Sequence, residues 1–150
     1  MAAIKRLPIV ALILRLVLAG VFVSAALPKI QDPIAFTDSV IAYRVIDGSL
    51  ASWVGLALPW LELVCALGLL TPWLRRASGL WIAGLLALFI GLHAVAWARG
   101  LDISCGCFGT KEGSETSYGI YIARNFALLV AAVYLIRLDL FRKSPLRKTL

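Results

Sequence analysis

Four runs of the chain, residues 9–27, 51–70, 77–98 and 119–136, are apolar almost without interruption. A helix crossing the hydrocarbon core of a bilayer needs about 20 mostly apolar residues, and each run meets that need. The runs are continuous and do not alternate, which argues against transmembrane strands. Backbone groups in lipid must pair within their own segment, so such runs become helices. The pattern predicts an all-α fold, an integral membrane four-helix bundle. Between the first two runs, "PIAFTDSVIAYRVI" sets Ile34, Phe36, Val40, Ile41 and Val45 at the spacing of a short amphipathic helix on the outer surface. Pro28, Pro33, Asp47 and Gly48 punctuate that connection. "TPWLRR" reads as a tight turn. With no internal repeat or low-complexity tract, residues 1–150 form a single transmembrane domain that includes a basic C-terminal tail, 137–150.

Composition strengthens this picture. Of the 150 residues, 61% are hydrophobic and 15% charged, against about 45–50% and 25% in soluble domains. The net charge of +7 does not point to nucleic acid, because Lys and Arg gather at segment ends, where they face anionic lipid headgroups. Lys5 and Arg6 before the first run, and Ser24-Ala25-Ala26 near its end, imitate a signal peptide. The apolar stretch is longer than a signal core of roughly 7–15 residues, so a retained signal anchor is expected. With the N-terminus cytoplasmic, the inner flanks carry nine basic residues: Lys5, Arg6, Arg75, Arg76, Arg137, Arg142, Lys143, Arg147 and Lys148. The outer loops carry four: Lys29, Arg44, Arg99 and Lys111. The positive-inside rule then predicts both termini cytoplasmic, in the inner (plasma) membrane of a cell, with loop 99–118 on the periplasmic or outer side. Trp53, Trp97, Tyr118 and Tyr121 fall at the outer interface and Trp73 and Tyr134 at the inner one, as aromatic belts do.

Loop 99–118 contains "LDISCGCFGTKEG", with Cys105 and Cys107 flanking Gly106. An exported loop permits disulfides. A C-x-C disulfide closes a small strained ring, and strained disulfides exchange more readily. Gly106 eases the tight backbone. As a static staple the bond would close almost no loop and stabilise little. A redox-active pair is the functional reading; the bland ones are a staple and two apolar fillers. No metal site is predicted, since a closed zinc site wants four ligands and His93 and Cys65 are poorly placed to supply them. Cys65 reads as a small buried apolar residue.

Charges inside a transmembrane helix are costly and turn towards the bundle interior. Arg15 and Glu62 differ in depth by only about 3 Å at a rise of 1.5 Å per residue, so an Arg15–Glu62 pair is expected, with Arg124 a competing partner for Glu62. His93 and Arg124 each lie roughly 8 Å below the outer surface, on the two helices that the cysteine loop joins, with Asn125 beside Arg124. A cation there would favour a reactive thiolate or bind a carbonyl or anion of a redox carrier. The bland reading of His93 is a hydrogen-bonded interior histidine.

These residues together resemble the MauE family, named for a methylamine-utilisation protein and grouped with DoxX-like four-helix membrane proteins. The resemblance rests on Arg15 and Gly20, Lys29 with "DPIAF" and "AYRV", Pro59 and Glu62 in "LPWLEL", Arg99-Gly100, "CGCFG" at 105–109 and Arg124-Asn125 in "ARNFALL". The chain departs from the family pattern at "SAALPKI", where a glycine is expected close before the lysine. The resemblance implies a redox-associated membrane protein that supports maturation of disulfide-containing exported enzymes, often beside a thioredoxin-like partner. Its architecture is similar to that of quinone-linked disulfide-forming enzymes. The expectation is therefore a membrane thiol–disulfide oxidoreductase acting through Cys105 and Cys107 on an exported thioredoxin-like or cysteine-containing protein. Electrons would pass to a quinone held near His93, Arg124 and Asn125. The alternatives are a non-enzymatic assembly subunit or chaperone, and a carrier of reductant to a thioredoxin-like protein.

Overall fold

The computed structural model of the chain describes residues 2–100 and 118–141, the first seven of them as backbone only. They form α1 (Ala2–Gln31), α2 (Pro33–Ala42), α3 (Gly48–Leu70), α4 (Arg75–Ala98) and α5 (Tyr118–Phe141), with no strand among the described residues. Four of the helices are long and apolar enough to cross a membrane, over Ile9–Gln31, Gly48–Leu70, Arg75–Ala98 and Tyr118–Phe141. The chain is thus an all-α, multi-pass membrane protein with one additional short helix, as the hydrophobic pattern predicts. Cys105, Cys107 and the tail from Arg142 onward lie outside the described residues.

The four long helices close into a ring: α1 packs on α3, α3 on α4, α4 on α5 and α5 back on α1. The α1–α5 edge is the thinnest of the four. Each helix is apolar nearly all round, as lipid immersion requires, and packing selects the face that turns inward. On α1 the buried positions are Ala11, Arg15, Leu18, Ala19, Phe22, Ala26 and Lys29, steps of three and four that trace one helical stripe. Ile9, Ile13, Leu16 and Val17 stay exposed on its other side. On α5 the buried stripe is Asn125, Ala132, Leu135 and Asp139. Leu18, Phe22, Leu69, Ile82, Leu86 and Leu135 fill the space between the helices.

The helices overrun the predicted spans at their ends. α1 continues through Pro28 and Lys29 to Gln31, α3 starts at Gly48, and α5 reaches Phe141. The turn between α3 and α4 is tight: Thr71 donates to the Gly68 carbonyl, and Leu74 and Arg75 to that of Thr71.

The corner between α1 and α2 is built by Asp32, whose carboxylate accepts the Ala35 N–H at 3.0 Å, and by Pro33 at the first helical position. Both are helix-start signals. α2 then lies beside the first half of α3. Gly55 of α3 makes this possible: a Cβ there would strike the Thr37 side chain and stand 3.1 Å from the Thr37 Cα. The Thr37 hydroxyl is already tied to the Pro33 carbonyl at 2.8 Å, so it cannot swing aside freely. Four residues on, Pro59 inside α3 has no N–H to offer the Gly55 carbonyl.

Candidate functional site

α4 finishes at Ala98, with Gly100 at φ +61, and α5 begins at Tyr118. The cysteine segment therefore departs from and returns to the same end of the bundle. Just inside that end, His93 of α4 is 2% exposed. Its Nδ1 lies 2.6 Å from the Phe89 carbonyl oxygen. A carbonyl only accepts, so Nδ1 carries a hydrogen and donates it there. Three tyrosine rings surround the imidazole. Tyr43, just past α2, and Tyr118 both stand edge-on with centroids 6.4 Å away. Tyr121 is tilted against it at 5.7 Å. The Arg124 guanidinium lies 5.4 Å from the centre of the Tyr121 ring. Asn125, 5% exposed, follows Tyr121 by one helical turn on the inward face of α5.

The structure thus links His93 and Arg124 through the Tyr121 ring, with Asn125 one turn further along α5. It adds the three tyrosines. Tyr118 and Tyr121 are more than interfacial anchors, and their spacing of three and four from each other and from Asn125 is the signal that groups them on one face. Tyr43 had no such signal, because its approach depends on how α2 folds back. Arg99 reinforces that approach through a long hydrogen bond to the Arg44 carbonyl, at 3.4 Å.

The expected pairing of intramembrane charges is corrected. Arg15 does not pair with Glu62; its guanidinium donates to the Asp139 carboxylate. Arg124 does not pair with Glu62 either. Both Glu62 oxygens accept from Lys29 Nζ, each at 2.8 Å. The reason lies in the helix ends. Ending the first span at residue 27 put Lys29 in a loop, and ending the last at 136 put Asp139 beyond the bundle. α1 in fact keeps Lys29 on the stripe that carries Arg15, and α5 keeps Asp139 on the stripe that carries Asn125. Arg76 joins this second cluster by donating to the Asp139 backbone carbonyl at 2.7 Å. Cys65 is a free thiol buried in the core, as its position on α3 implied.

Residues 7–138 match the family model described as Methylamine utilisation protein MauE. The chain belongs to the MauE family. It is 34% identical over 128 residues to the methylamine utilization protein MauE of Methylophilus methylotrophus, an alignment covering 85% of this chain and 67% of that protein. To its counterpart in Methylorubrum extorquens it is 35% identical over 126 residues, 83% of this chain and 67% of the relative. To that of Paracoccus denitrificans it is 33% identical over 127 residues, 84% and 68%. No solved structure matches the chain. The MauE match spans the cysteine segment, the His93 cluster and the Lys29–Glu62 pair, and stops one residue short of Asp139.

Chemically, the end of this MauE bundle that carries His93 offers a buried base, a cation, an amide and three phenols on flat ring faces. Tyr43, Tyr118, Tyr121 and Arg124 are half-buried while His93 lies behind them.

Proposed function

We propose that this membrane protein is a thiol–disulfide oxidoreductase that supports disulfide formation in exported proteins through Cys105 and Cys107. What carries the reading is the clustering of His93, three tyrosines and Arg124 at the two helix ends from which the C-G-C segment springs. A thiolate of the exported substrate attacks the Cys105–Cys107 disulfide; one sulfur–sulfur bond breaks as a mixed disulfide forms. The substrate's second thiolate attacks that mixed disulfide and leaves oxidised, so Cys105 and Cys107 become a dithiol. Two electrons and two protons must then leave the dithiol.

His93, with its Nδ1 hydrogen held by Phe89, presents Nε2 as a proton acceptor. Arg124 favours the thiolate form of a nearby cysteine. The same residues fit a quinone: ring faces of Tyr118 and Tyr121 for a flat head group, and Arg124, Asn125 and phenol hydroxyls for its carbonyls. When bound there, a quinone would supply the acceptor for the two electrons. In this orientation both termini are cytoplasmic, and the cysteine segment faces the periplasm or exterior of a plasma membrane. The partner is a thioredoxin-like or other cysteine-containing exported protein. The relatives are named for methylamine utilisation, which supports looking for that partner among the proteins of that process.

Single Cys105→Ser and Cys107→Ser variants should trap a mixed disulfide with the exported partner. The purified protein should reduce a short-chain ubiquinone in a dithiol-dependent way. An impermeant maleimide should label the reduced cysteines of intact cells. Full cellular function in the Cys105→Ser/Cys107→Ser double variant would replace this reading with that of an assembly subunit. Labelling from the cytosolic side alone would reject the orientation.

A further inference from the structure

The Lys29–Glu62 pair has no part in the chemistry proposed above, and buried pairs of this kind add little net stability over apolar residues of similar volume. Its placement is nevertheless specific. Both side chains are 1% exposed. The ammonium that bonds Glu62 of α3 also faces two aromatic rings. The Phe36 ring of α2 has its centre 4.9 Å from Nζ, and the Phe89 ring of α4 has its centre 5.3 Å away. One nitrogen of α1 therefore touches α2, α3 and α4 together.

Both rings lead to the same place. Phe89 is the residue whose carbonyl oxygen takes the Nδ1 hydrogen of His93. Phe36 belongs to the helix after which Tyr43 meets the His93 ring. We propose that Lys29, anchored by Glu62, is a positioning residue for His93: it pins the Phe89 turn of α4 and the α2 segment through their rings, and so keeps the imidazole in its Nδ1–H form. The cation attracts the faces of both rings, and its own position is set by two charge-assisted hydrogen bonds. A partner that fixes a histidine's tautomer commonly governs what its other nitrogen can do. The consequence for catalysis rests on the functional reading above; the positioning itself does not.

The chain has one histidine, so imidazole nitrogen-15 labelling reports on His93 alone. The full-length protein in detergent micelles should show a single Nδ1–H tautomer. The Lys29→Met/Glu62→Gln variant should show a mixture of tautomers at unchanged helicity, with thiol oxidation slowed by up to about 100-fold, the effect of roughly 1 Å of misplacement. Lys29→Arg, which keeps the cation, should retain the single tautomer. Should the pair variant fail to fold, Phe89→Leu carries the test, since it leaves the ion pair in place and removes only the ring; it should give the same mixture. A wild-type tautomer pattern in the folded pair variant or in Phe89→Leu overturns the proposal, as does a mixture in the unaltered protein. A mixture without loss of thiol oxidation upholds the positioning and removes His93 from the redox chemistry. An unaltered protein that oxidises no thiol sinks the functional reading, and the nitrogen spectra still decide the positioning.

Discussion

Removing one partner of the Lys29–Glu62 pair should cost far more than removing both. At 2.8 Å, opposite unit charges attract by about 6 kcal/mol for an effective dielectric of about 20. Taking each ion out of water costs several kcal/mol. The two terms nearly cancel, so the intact pair is close to neutral in net stability. Lys29→Met leaves the Glu62 carboxylate inside the bundle with both oxygens deprived of their donor. Glu62→Gln leaves the ammonium there without its counter-charge. Each single change should therefore lower stability by about 3–5 kcal/mol. Lys29→Met with Glu62→Gln should come within about 1 kcal/mol of the unaltered protein. The assay is reversible unfolding in mixed micelles, followed by tryptophan fluorescence and helicity, for all four members of the cycle. Singles that cost under about 1 kcal/mol would refute the burial argument. A double variant whose loss equals the sum of the two singles would refute the direct coupling.

Two further outcomes follow from close packing. Gly55→Ala puts a methyl group 3.1 Å from the Thr37 Cα, so α2 must shift; the cost should be about 1–3 kcal/mol, and unfolding in micelles together with the His93 nitrogen spectrum should register both the loss and the displaced Tyr43. Asp139→Ala removes the carboxylate that Arg15 engages on the thinnest edge of the ring; stability should fall by about 3–5 kcal/mol while the His93 spectrum stays unchanged, since α2, Lys29 and Phe89 are not involved.

Continuous apolar runs made the four spans legible, because lipid leaves the backbone no alternative to helix. The short helix after Pro33 was legible from its apolar spacing, although α2 ends at Ala42 and leaves Val45 outside it. The nearness of His93 and Arg124 was legible because both sit about one to two turns from the ends of the two helices joined by the cysteine segment. The ion pairs were not. Charges are normally read as the ends of spans, and that habit removed Lys29 and Asp139 from the helices that contain them. The stripe is the better guide. Lys29 follows Ala26 by three and Phe22 by seven; Asp139 follows Leu135 by four and Ala132 by seven. Continuing each inward stripe until it breaks, rather than stopping at the first charge, recovers both residues. Which acid meets which base still needed the ring order of the helices, since depth alone favoured Arg15 with Glu62.

That ring order explains why one stripe on α1 serves two different partners. Arg15 and Lys29 are about 21 Å apart along the axis at a rise of 1.5 Å per residue, and nearly in line around it. α1 lies between α3 and α5, so a side chain near the α1 seam can lean either way. Arg15 leans to α5, where few other contacts hold the edge. Lys29 leans to α3, beneath α2. An ion pair at the thin edge substitutes for apolar contact that small numbers of facing residues cannot supply. The pair at the other end lies in an edge that is already well packed, so stability is a poor account of it. The rings of Phe36 and Phe89 on Lys29 are a better one, because they connect that pair to the only histidine in the chain.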